Sequence, residues 1–212
     1  MGEFVFVSAF RGADSSRTAT ALELFCARHG VRTVDQPLRA PTVLSSAARV
    51  RVWGGGDWTV VDWPMTFPHT VAALEMSETL ACIAVAADIY EGAFWRQTVV
   101  QRGTVVDRFC SELNYFGREE RQRLGGRWDG NSGVVADMLG LDPKVVQHYY
   151  RQPTRFRQRK GLQGDTFNAV DPWIFTDLWR RIGISYPSGP PDLVLELPRD
   201  FANDLPTEGY DF

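Results

Sequence analysis

Phe94–Cys110, FWRQTVVQRGTVVDRFC, is the stretch that decides the fold. Two runs rich in Val, Thr, Phe and Trp flank Arg102-Gly103, a two-residue connection of the kind that closes a tight β-hairpin. A hairpin here makes the sheet antiparallel, and the neighbouring segments read as its continuation.

Upstream, Thr79–Tyr90 (TLACIAVAADIY) is the most continuous apolar run and reads as a central strand, with a helix left open by its alanines. Arg49–Trp53 and Trp58–Trp63 flank Gly54-Gly55-Gly56-Asp57. A four-residue loop there sets Trp53 opposite Trp58, an aromatic pair contributing about 1 kcal/mol. Glu3–Phe10 (EFVFVSAF) reads as the first strand. One helix is expected from about Ser16 to His29, capped from the Ala13–Ser16 segment and stopped by Gly30. A second follows Pro68, from His69 to about Glu78. The order β-α-β-β-α-β predicts a ferredoxin-like sheet, extended as a β-meander by the Phe94–Cys110 hairpin. An edge of that meander stays open for pairing or is covered by the C-terminal half.

Past Phe116 the texture changes. Arg118–Arg127 begins as a charged helix. Ser132 caps a helix to about Leu139, and Asp142-Pro143 starts another. A Trp- and Phe-rich helix spans about Pro172 to Ile182, and Leu193–Leu197 reads as a short edge strand. The expected architecture is α+β: residues 1–116 form the antiparallel sheet unit, and 117–212 a mainly helical lobe packed on it, the two making one compact unit.

Composition narrows the function classes. Hydrophobic content is 44% and charged content 23%, as in ordinary globular proteins. The net charge of −3 argues against a generic nucleic-acid coat or membrane-surface protein, which would be basic. Cys26, Cys82 and Cys110 are too few and too widely spaced for a disulfide framework or a zinc site, and read as reduced, buried thiols. His29, His69 and His148 have no partner at ligand spacing, so no metal and no cofactor is expected. The opening residues lack a basic and apolar signal segment, and no apolar run has the length of a membrane span, which makes the cytoplasm the expected location.

Three features carry function. Trp95, Trp128, Phe175 and Trp179 exceed what packing alone requires; they serve either as an exposed patch for a protein partner or as a second core layer. With them goes an acidic tail containing Asp200 and Asp204, suited to a basic partner or simply solubilising. Val134–Tyr150 has the spacing of a helix-turn-helix. Lys144 and Gln147 are its exposed readers, with Arg151, Arg155, Arg157, Arg159 and Lys160 available for phosphates. Finally, Asp62, Asp88 and Asp107 are sheet acids from which a hydrolase or transferase would need at least two in one pocket.

The run Asp88–Phe116 and the segment VADMLGLDP (135–143) resemble a pattern in uncharacterised bacterial proteins of similar size. The resemblance implies a bacterial cytoplasmic protein and supplies no catalytic residue. Small, acidic, aromatic-rich α+β proteins of this kind also resemble immunity or accessory proteins. The leading expectation is therefore a non-enzymatic protein-binding module, an immunity or accessory protein of a toxin or defence system. Nucleic-acid binding through 134–160 and carboxylate-based hydrolysis or transfer are the alternatives.

Overall fold

The computed structural model describes residues 3–31, 34–35, 48–124, 126–151 and 161–198. Their strands are β1 (Val5–Arg11), β2 (Val34–Asp35), β3 (Ala48–Gly55), β4 (Trp58–Asp62), β5 (Ile83–Tyr90), β6 (Phe94–Gln101), β7 (Thr104–Cys110) and β8 (Leu193–Leu197). They form one open sheet in the order β2-β8-β3-β4-β1-β5-β6-β7, antiparallel throughout. The helices are α1 (Ser15–Arg28), α2 (His69–Thr79), α3 (Arg118–Leu124), α4 (Ser132–Leu139), α5 (Pro143–Tyr149) and α6 (Ile174–Arg181).

The deciding hairpin forms as the sequence implies. Gln101 pairs with Thr104, and Arg102 and Gly103 both take positive φ, 48° and 77°. That is the backbone a two-residue turn needs to match strand twist. A register shift between Val99 and Val100 then bulges β7, bending this outermost strand.

Three expectations are corrected. The β3–β4 loop has two residues, because Gly55 pairs with Trp58 and Gly56 turns the chain at φ 57°. Trp53 therefore faces Val60 instead of Trp58. Its indole N–H donates to Gly189 O, and that of Trp58 to Ile182 O. Next, residues 79–82 precede the strand, which starts at Ile83. Ala84 and Ala86 join the core under α2, while Val85, Ala87 and Ile89 point the other way. Finally, β8 is not an edge strand; it pairs with β2 on one side and β3 on the other.

Strand alternation gives the sheet two buried faces. Phe6, Phe10, Val52, Val61 and Val100 pack with α1 and α2 on one. Val7, Ala9, Val60, Val85, Trp95 and Phe109 pack with α4, α5 and α6 on the other. The helices are set by local chemistry. Asp14 caps α1, accepting from the Arg17 N–H at 2.8 Å, and Asp142 and Pro143 open α5. Asp14→Ala is expected to lower unfolding stability by about 1 kcal/mol in urea melts.

Candidate partner-binding groove

The aromatic residues singled out in the sequence lie inside. Trp95, Phe175 and Trp179 are at most 1% exposed and Trp128 is 9% exposed. They build core, which corrects the reading of an exposed aromatic patch. The physical reason is that both sheet faces are covered, so the stripe on α6 turns inward. A buried polar link accompanies it. Trp179 Nε1 donates to Gln97 Oε1 at 3.2 Å, and Gln97 Nε2 donates to the Tyr150 hydroxyl at 2.8 Å. Tyr150 stacks on Phe109 with ring centroids 4.3 Å apart. Burial, with the Asp107 carboxylate beside it, pushes the Tyr150 phenol well above its ordinary value. Asp200 and Asp204 lie outside the described residues.

The sheet acids do not converge. Asp88 faces the α1–α2 side and is buried against Arg96 Nε at 2.9 Å, with His69 Nε2 at 3.4 Å. Burial alone would raise its carboxyl, but Arg96 and His69 outweigh that and hold it below the usual range. Asp62 pairs with Arg51 on β3, and burial pushes its carboxyl up. Asp107 stands on β7, four strand spacings away, ~19 Å by the usual interstrand distance.

The α4–α5 unit turns at Gly140, φ 76°. Val135, Ala136, Leu139, Val146 and Tyr149 sit in the core, leaving Lys144, Gln147 and Arg151 exposed together. Arg151 donates to Gln147 Oε1 at 3.4 Å. Arg155, Arg157, Arg159 and Lys160 lie outside the described residues. The neighbouring Arg181 is engaged internally, donating to Asp165 and to the Tyr149 hydroxyl, each at 2.6 Å.

Burial pushes the Cys26 and Cys110 thiols up to about 12 and Cys82 to about 11. A thiol reagent at neutral pH is accordingly expected to label the folded protein far more slowly than the urea-unfolded chain. Comparable rates would show that these thiols open to solvent. Among the described residues no three His, Cys, Asp or Glu side chains are grouped to hold a metal, and no described helix is long and apolar enough to cross a membrane.

An open site remains at the β7 edge of the sheet. Cys110 N–H donates outward to Trp128 O at 2.9 Å, and Phe109 bridges to Asp129. Two residues on, the Asn131 N–H donates to Asp107 Oδ1 at 2.6 Å. Asn131 Oδ1 in turn caps α4 through the Val134 N–H. The space between is a groove of about 480 Å³. Residues Val105–Arg108 line one wall, and Gly126, Arg127, Gly130 and Asn131 the other. Gly130, at φ 73°, lets the wall close on the Tyr150 ring, which a Cβ would meet at 2.6 Å. Burial pushes the Asp107 carboxyl up, opposed by the Asn131 N–H, the Tyr150 hydroxyl and the Arg108 N–H. Arg108 lies 5.8 Å over the Trp128 ring, and Arg96 lies 5.7 Å from the same ring. A smaller cleft of about 150 Å³ lies among Trp53, Trp58, Tyr186 and Pro187.

The open edge was readable from strand order in the sequence. Its opposite wall was not, because nothing in residues 126–131 shows where that segment returns. No protein-family model, curated protein or solved structure matches this chain.

Proposed function

We propose that this chain is a non-enzymatic protein-binding module that takes a partner's extended segment in the groove along β7. In this reading it is a bacterial cytoplasmic immunity or accessory protein, acting by occupying its partner. One observation carries the proposal: the outermost strand of a sheet covered on both faces borders an open groove of about 480 Å³. Sheet edges offer main-chain groups to extended segments, and neighbouring side chains supply selectivity. The bulge and the Asp107 carboxylate blunt this edge against indiscriminate pairing, which suits a selective partner. The local order β3-β4-β1-β5, with α1 and α2 on one face, supports a ferredoxin-like reading of residues 1–116. Pairing of β8 with β3 supports a single compact unit with the helical half as its second layer.

The test compares capture of partners from the host by the wild type and by Val106→Trp, which places an indole in the groove. A partner held by the wild type and lost with the folded variant supports the reading; equal capture overturns it. Mobility shifts with duplex DNA form the second arm. A salt-sensitive complex that Lys144→Ala and Arg151→Ala weaken would replace the protein partner by nucleic acid.

A further inference from the structure

We infer that the segment taken by the β7 groove is acidic, a short extended stretch of Asp and Glu. This rests on the docking role proposed above and specifies its chemistry. Arg108 and Arg127 stand on opposite walls, and neither makes an ion pair among the described residues. The acid on the same wall, Asp107, already accepts the Asn131 N–H. α4 is capped by Asn131, on the wall that carries Arg127, and adds the positive end of its dipole. The groove is thus cationic on a chain whose net charge is −3.

The geometry gives the two arginines distinct parts. Arg108 is held by Trp128 and cannot move far without losing its ring contact. It presents a fixed site beside the strand edge, where a guanidinium takes a carboxylate through two parallel hydrogen bonds. Arg127 is exposed on the other wall. An extended segment lying along β7 advances about 3.3 Å per residue, so more than one carboxylate can lie within the groove. A basic segment would meet two cations lining the same groove, which costs affinity and suppresses wrong partners.

Fluorescence anisotropy with short labelled peptides tests this, using acidic, neutral and basic sequences of equal length. The acidic peptide is expected to bind at least about tenfold more tightly than the others, and less tightly as salt rises. The double reversal Arg108→Glu with Arg127→Glu is expected to abolish that preference and favour the basic peptide. Arg28→Glu, on α1 and away from the groove, is expected to leave binding unchanged. Circular dichroism melts establish that each variant folds. Preference for neutral or basic peptides that Val106→Trp removes would overturn the acidic assignment and leave the docking site standing. Binding that Val106→Trp does not alter, or no binding by any class, would overturn both.

Discussion

Replacing Asp88 by Ala is expected to lower the unfolding free energy by about 3–5 kcal/mol, measured in urea at neutral pH. The cost comes from losing a carboxylate that takes charge-assisted hydrogen bonds out of contact with water. Arg96 and His69 are both buried beside Asp88. Arg96 is fixed between that carboxylate and the Trp128 ring, so its charge has no short route to water. Removing both charges with apolar residues of similar size, Asp88→Leu with Arg96→Met, should recover most of the loss. The pH dependence follows from the direction of the shift. Because the folded carboxyl lies below its unfolded value, its stabilisation is complete above about pH 4. It is then lost as pH falls through the lower folded value. Asp88→Asn should therefore flatten the acid limb of the stability curve. A loss under about 1 kcal/mol in Asp88→Ala would mean that Arg96 reaches solvent.

Trp179→Ala is expected to cost about 3–5 kcal/mol by the same measurement, with a weakened near-ultraviolet dichroism signal. Trp179 is completely buried on α6 and packs edge-on against Phe175, with centroids 5.3 Å apart. Its loss opens a cavity between the sheet and the second helical layer. The indole N–H also satisfies Gln97 Oε1, which is itself buried on β6. Trp179→Phe separates the two effects. It retains most of the packing, so its cost should fall to about 1–3 kcal/mol, dominated by the orphaned amide oxygen. A Phe variant as unstable as the Ala variant would assign the whole effect to the polar link.

Much of this fold can be read from local chemistry. Arg102-Gly103 specified a turn that few other residue pairs would make, and the dense Phe and Val content of Glu3–Phe10 marks a strand. Asp14 and Asp142 are caps because their side chains answer N–H groups within three residues; for α4 the cap is Asn131, one residue before the expected Ser132, because its side-chain oxygen reaches the Val134 N–H. What escaped notice depends on distant partners. Gly54-Gly55-Gly56-Asp57 accommodates a two- or a four-residue reversal equally well, and only pairing decides which. The five residues of β8 carry no mark of their neighbours, so its position between β2 and β3 was not legible. The α6 stripe looked oversized for one core because the sequence does not announce that the sheet is buried on both faces. The groove depends on where residues 126–131 return, fixed by the Cys110 N–H on Trp128 O, the Phe109–Asp129 bridge and the Asn131 N–H on Asp107.

The seating of β8 has a consequence for how the protein is made. Ala48 and Leu197 are partners, so β3 waits for a segment that leaves the ribosome much later than it does. Until then β3 has a bare flank, and β2 has nothing to pair with. Contacts this remote along the chain slow folding and make its completion cooperative. During that interval the nascent chain offers an unprotected strand to its neighbours. Chains terminated before Leu193 should accumulate as aggregates, whereas addition of a synthetic β8 segment during refolding should restore soluble, protease-resistant protein.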